Sequence, residues 1–141
     1  VGLDVDNTGS RPRGGAVVVD LFDDVRADLE RVEQELYRRL ASDRAFLQEL
    51  ATHLMRGGGK RLRPALVLQC ARVFDGRLDG VIPVAAAVEM IHMATLIHDD
   101  VVDGSDLRRG LPTVNAKWGS GVSVLLGDYL FARAFSMLAE T

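Results

Sequence analysis

Cysteine occurs only once in the 141 residues, at Cys70, so no internal disulfide can staple the chain. It lies in the apolar run PALVLQCARVF, where a free cysteine reads as a small core residue, and the implied home is a reducing cytoplasm. An excess of one charge is also missing. The 17 Lys and Arg against 20 Asp and Glu leave a net charge of −3, which excludes the broad basic surface of a nucleic-acid binder. Any basic function is therefore local. Apolar runs of bilayer length are lacking, because VIPVAAAVEMIHMATLI is broken by Pro83, Glu89 and His92, and the expectation is a chain without a transmembrane segment. Sustained apolar-polar alternation and internal repeats are absent too. With 48% hydrophobic residues available for a core, these absences leave helices as the building material and an all-α fold as the expectation.

What is present divides the chain into a flexible arm over residues 1–19, rich in glycine and polar residues, and a helical domain over residues 20–141. Leu21, Val25, Leu29, Val32, Leu36 and Leu40 recur at helical spacing and predict an amphipathic helix from Asp20 to Leu40. A shorter helix follows, with Phe46, Leu47, Leu50 and Leu54 facing inward. RGGGK interrupts the pattern, and Pro64 suits the first turn of a helix running to about Phe74. DGRLDG reads as a turn, a long helix spans Pro83 to Asp103 with Gly104 as its stop, and SDLRRGLPT is a connecting loop. The last helix, GSGVSVLLGDYLFARAFSMLAET, is apolar around its whole circumference. Such a helix belongs in the middle of a larger assembly, so the domain is expected to be completed by helices from a partner chain or a longer one.

Two charged constellations stand out. In LIHDDVVDGSDLRRG, Asp99 and Asp103 are four residues apart and share a helix face with Glu89 and His92, while Asp100 is turned about 100° away. Like charges at this spacing, near a helix C-terminus, call for a cation. Carboxylates without a nearby cysteine or closely spaced second histidine indicate a hard oxygen-seeking ion, most simply Mg²⁺, rather than zinc. In GGGKRLRP the sign is reversed: Lys60, Arg61 and Arg63 precede a helix start, where an anion would relieve the charge. Taken alone, the first could be a solvated acidic helix end and the second a solvated basic loop. Together with Arg108 and Arg109 they describe a site for two phosphorylated groups, one bridged through metal and one held by cations.

These residues resemble the trans-type isoprenyl diphosphate synthases, the polyprenyl synthetases. DDVVD is similar to their first aspartate-rich motif, GGGKRLRP to their homoallylic-diphosphate loop, LRRG to their arginine pair and GDYLFARAF to the helix that follows. The resemblance implies the N-terminal portion of the isoprenoid-synthase helical bundle, and a Mg²⁺-dependent prenyltransferase acting on isopentenyl diphosphate and an allylic diphosphate. It further implies that Asp99 and Asp103, supported by Asp100, hold Mg²⁺ against the allylic diphosphate, which Arg108 also binds. Lys60, Arg63, His92 and Arg109 are assigned to isopentenyl diphosphate, and Arg61 is counted with the substrate-binding residues. Ala94 and Thr95, one turn before the aspartates, are small where this family blocks chain growth, which points to a product longer than farnesyl diphosphate.

The family's second aspartate-rich motif is absent from the 141 residues. Two readings follow: one component of a split, hetero-oligomeric synthase whose partner subunit carries that motif, or a piece of a single-chain enzyme, with this half alone inactive or weakly active. A non-catalytic diphosphate-binding subunit is a third. A terpene cyclase is the remotest, since GGGKRLRP has no second diphosphate to bind there.

Overall fold

The computed structural model describes residues 22–74 and 78–141. The expected arm over residues 1–19 lies outside the described residues. A 3-10 turn, Asp23–Val25, leads into α1, Arg26–Leu40, which buries Val32, Leu36 and Leu40 at the predicted spacing. Asp28 is buried among them, held by Arg31 of its own helix at 3.2 Å and by Arg72 at 3.0 Å. The second helix, α2, spans Ala45–Arg56 and buries Leu50, Ala51 and Met55. Leu47 and Leu54 are partly buried, whereas Phe46, predicted to face inward, is exposed. Phe46 lies one turn before Leu50 at the start of α2 and borders a hollow shared with Leu47, Leu50 and Val122 that leaves its ring exposed.

Helix α3, Leu62–Val73, carries Pro64 in its first turn, where a missing N–H costs nothing. Cys70 is exposed on it, contrary to the reading of a core thiol; Pro64, Ala65 and Leu68 fill the buried face instead. The central helix α4 spans Leu78–Val102 and starts well before Pro83. Residues 75–77 of the predicted DGRLDG turn are outside the described residues, but its last three, Leu78, Asp79 and Gly80, are helical. Tertiary contacts override the local signals here: Ile82 is buried, and Asp79 accepts a hydrogen bond from Arg31 of α1 at 2.5 Å.

The predicted loop after α4 is a miniature hairpin, β1, Leu107–Arg108, paired antiparallel with β2, Leu111–Pro112. Arg109 and Gly110 between them have φ of 52° and 78°, the two left-handed positions of a type I′ turn. A short helix α5, Val114–Trp118, is capped by Thr113, whose hydroxyl accepts from Ala116 N–H at 3.0 Å. The last helix, α6, Ser120–Ala139, packs along α4.

Helix α6 buries Ser123, Leu126, Gly127, Leu130, Ala134 and Met137, one face at helical spacing. Its apolar remainder includes Val124, Leu125 and Phe135, all exposed. The two long helices approach closely at Gly127, where an added Cβ would sit 2.1 Å from His98 Nε2. By length and composition α4 and α6 are each long and apolar enough to cross a bilayer, and α4 runs unbroken through Pro83, Glu89 and His92. The expectation that these residues interrupt the run is therefore corrected. In the fold α4 is the core helix, packed on α1, α3, α5 and α6.

Candidate functional site

The C-terminus of α4 is closed by a Schellman arrangement: Gly104, at φ 62°, donates to the Val101 carbonyl at 3.3 Å, and Ser105 donates to that of Asp100 at 3.0 Å. The closure separates the three aspartates. Asp99 and Asp103 are exposed on one side, while Asp100 is buried on the other. Asp100 receives a forked contact from Arg108, with Nε at 2.9 and 3.1 Å and Nη2 at 2.7 Å. The hydrogen bonds that Arg108 donates to Asp100 raise its pKa above the ordinary arginine value, partial burial works against it, and the charges of Asp100, Asp99 and Asp103 add to the rise.

The side chains of Asp99 and Asp103 make no hydrogen bond or ion pair among the described residues. No basic residue lies in the last turn of α4, so both carboxylates sit at the negative end of the helix dipole, offset at longer range by the charge of Arg108. Among the described residues no three acidic, histidine or cysteine side chains converge as a complete metal site. Two exposed carboxylates fit Mg²⁺, an ion commonly held by one or two of them with water and phosphate completing its shell. Asp100 does not join that set; it aims Arg108.

The basic constellation is built around Arg61, the residue before α3, at φ 49° and ψ 34°. The left-handed turn sends its side chain inward, away from the direction expected for a phosphate ligand. Nη1 reaches Glu89 at 2.8 Å and Nε reaches Glu33 at 3.0 Å. Burial disfavours the Arg61 charge, but the hydrogen bonds it donates to Glu89 and Glu33 outweigh that and hold its pKa above the ordinary arginine value. Lys60 and Arg63 remain exposed without a hydrogen bond or ion pair among the described residues, beside an α3 N-terminus that no side chain caps.

Arg109 joins the two constellations. From the hairpin tip its Nη1 donates to the carbonyl of Gly58 and, at 3.3 Å, to that of Gly57. Gly59 permits this approach, since a Cβ there would lie 3.0 Å from Arg109 Nη1. His53 ties down the other side of the hairpin, with Nε2 2.8 Å from the Pro112 carbonyl and its ring edge-on to Trp118. The result is an open cleft of ≈ 400 Å³ bordered by Lys60, Arg61, Arg63, Glu89, His92 and Arg109 among others. A smaller apolar hollow of ≈ 90 Å³, bordered by Met93, Leu96, Leu111, Asp100 and Arg108 among others, lies under the hairpin. Burial lowers the His92 pKa below the ordinary histidine value, and Arg63 lowers it further; Glu89 opposes, and Arg109 and Arg108 add to the fall.

The two residues assigned to chain length separate as well. Thr95 is exposed on the Asp99 face, with its hydroxyl donated to the His92 carbonyl at 2.7 Å, whereas Ala94 is completely buried in the core. One residue of helix rotates by about 100°, so the two neighbours point in different directions. Glu33, His53 and His98 were not singled out by the sequence. Glu33 and His53 look like ordinary polar positions of amphipathic helices, and nothing local to His98 announces Gly127.

The sequence profile described as Polyprenyl synthetase matches residues 44–141. The chain belongs to the polyprenyl synthetase family. It is 50% identical over 113 residues to heptaprenyl diphosphate synthase component 2 of Geobacillus stearothermophilus, covering 80% of this chain and 35% of that protein. It is 42% identical over 113 residues to octaprenyl diphosphate synthase of Escherichia coli, again covering 80% of this chain and 35% of the relative. Among solved structures, the polyprenyl synthase of Caulobacter crescentus complexed with calcium and isoprenyl diphosphate superposes with a TM-score of 0.81 at 48% identity, covering 85% of this chain and 37% of that one. The chain thus spans about a third of the length of these relatives. The helical layout is that of the corresponding third of a polyprenyl synthetase.

Proposed function

We propose that this chain forms the first-motif portion of a Mg²⁺-dependent prenyltransferase. The reaction condenses isopentenyl diphosphate with an allylic diphosphate to give a medium- or long-chain all-trans polyprenyl diphosphate. The observation that supports this is the Arg109 bridge, which ties the hairpin following the aspartate-bearing end of α4 to the carbonyls of the cationic glycine loop. Lys60, Arg63, His92 and Arg109 hold the isopentenyl diphosphate. Asp99 and Asp103 hold Mg²⁺, and Arg108, aimed by Asp100, faces the same allylic diphosphate. Bound Mg²⁺ supplies Lewis-acid stabilisation of diphosphate charge, and the calcium in the Caulobacter relative supports a hard divalent cation at such a site.

In the reaction the allylic C–O bond breaks and its electron pair leaves with the diphosphate, whose growing charge Arg108 neutralises. The isopentenyl double bond supplies the electrons of the new C–C bond to the allylic cation, and a proton is then lost. Lys60, Arg63 and Arg109 fix the direction of that double bond by gripping its diphosphate. No protein nucleophile is needed; fixed charges that meet developing charge are the source of rate.

The name heptaprenyl diphosphate synthase component 2 supports a two-component assembly in which a partner subunit takes part. The alternative is a single-chain synthase. We favour the hetero-oligomer, working in the cytoplasm, and mass measurement of the natively isolated protein, intact and then denatured, decides between them. The functional reading itself is tested by Lys60→Ala in the full-length protein. We expect a KM for isopentenyl diphosphate raised about tenfold or more with the allylic KM little changed, as loss of a charge-assisted phosphate contact predicts. Equal effects on both substrates would contradict the assignment.

A further inference from the structure

Glu89 presents a puzzle of charge. It is a buried carboxylate on α4 bordering a cleft whose other charged residues are Lys60, Arg61, Arg63 and Arg109, and its anion opposes any diphosphate bound there. An unpaired carboxylate so buried would be costly, but Arg61, itself only 9% exposed, neutralises it at 2.8 Å. Glu33 of α1 takes the Nε edge of the same guanidinium at 3.0 Å. Arg61 thus cancels Glu89, and Glu33 leaves the three-residue cluster net negative, so the cluster offers the cleft no free cation. What it contributes is geometry: one guanidinium spans α1 and α4 from a residue in the left-handed region.

A left-handed backbone at a non-glycine residue costs about 1 kcal/mol or more and persists only where surrounding contacts enforce it. Here the enforcing contacts are the two carboxylates. The turn they hold also starts α3, through the Arg61 carbonyl accepting from Ala65 N–H at 3.0 Å. Lys60 before the turn and Arg63 after it point outward while Arg61 points inward.

We infer that Arg61 is a positioning residue rather than a phosphate ligand: its anchorage to Glu89 and Glu33 sets the left-handed turn that aims Lys60 and Arg63 into the isopentenyl diphosphate cleft. This rests on the functional reading above and adds to it the device that arranges the cations.

The discriminating variant is Glu33→Gln, at an exposed carboxylate where the fold should survive. If Arg61 touched the ligand, loss of Glu33 would free a guanidinium edge and remove a nearby anion, and the KM for isopentenyl diphosphate would fall. A positioning role predicts the opposite, a rise of about two- to fivefold. Arg61→Lys, which keeps the charge but cannot serve two carboxylates with a rigid fork, should raise it about tenfold or more. Both are measured in the full-length protein in its native assembly, with farnesyl diphosphate as the allylic substrate and its own KM held within about twofold. Equilibrium binding of isopentenyl diphosphate alone, by calorimetry, should follow the same order.

A lower KM or tighter binding in Glu33→Gln overturns the inference. So does a parallel loss of kcat and both affinities with a lowered melting temperature, which marks a general structural role. Lys60→Ala, run alongside, separates the two levels. If it raises the isopentenyl diphosphate KM while Glu33→Gln and Arg61→Lys do not, Arg61 positioning is wrong and the cleft reading stands. If Lys60→Ala also has no effect, the cleft reading itself falls.

Discussion

Asp99 and Asp100 are adjacent in sequence and opposite in role. Asp100 is buried and clamped to Arg108, so Asp100→Asn should destabilise the fold by about 1–3 kcal/mol, measured by chemical denaturation, because a charge-assisted fork is lost. Asp99 is exposed and repelled by its helix end. Asp99→Ala should leave stability unchanged or raise it by about 0.3–1 kcal/mol while abolishing most turnover. A variant that loses stability and activity together would contradict that division. His92 gives a pH signature. Its folded pKa lies below the ordinary value because of burial and Arg63, so in the free protein it is neutral at neutral pH and stability contributed by this group falls as pH drops through the ordinary histidine value. A bound diphosphate favours the protonated ring. Calorimetry in buffers of different ionisation enthalpy should show proton uptake on isopentenyl diphosphate binding in the mildly acidic range. The part due to this residue should vanish in His92→Gln, and identical uptake in both proteins would exclude the assignment.

At the scale of elements, the sharpest constraint is the α4–α6 contact. Gly127→Ala places a methyl where the His98 ring already sits, and either the ring or the helix must move. The expected cost is about 1–3 kcal/mol of stability in a denaturant titration, as for other overpacked cores. Wild-type stability would mean that the ring swings out freely. Sequence periodicity disclosed α1 and α2 because each buries one regular stripe, whereas α6 was legible only as a long apolar run. It placed the start of α4 too late, because proline and glycine signals are local while the Asp79 contact that secures the first turns comes from α1. Arg109 in a type I′ turn was equally hidden. LRRGLPT has turn residues but no flanking strand pattern long enough to reveal a two-residue ladder.

At the scale of the whole molecule, the order of charged motifs along the chain was enough to indicate their joint purpose, because their types and spacings match a known chemistry. Their division of labour was not readable. Lys60, Arg61 and Arg63 look equivalent in sequence, and only a backbone turn decides that Arg61 faces inward. Likewise Ala94 and Thr95 look like a pair, and only the position of the core separates them. The exposed apolar face of α6, including Leu125 and Phe135, fits the expectation of a helix surrounded by further structure, since the chain spans about a third of its relatives.

The measurement closest to the central claim is incorporation of labelled isopentenyl diphosphate by the full-length protein in its native assembly, with farnesyl diphosphate and Mg²⁺, comparing wild type with Asp99→Ala. The predicted result is elongation beyond farnesyl by the wild type. In the variant, incorporation should fall about a hundredfold or more, as loss of a main charge-stabilising element implies, with isopentenyl diphosphate binding retained. Undiminished incorporation by Asp99→Ala, or a wild type that binds both diphosphates and joins nothing, would contradict it.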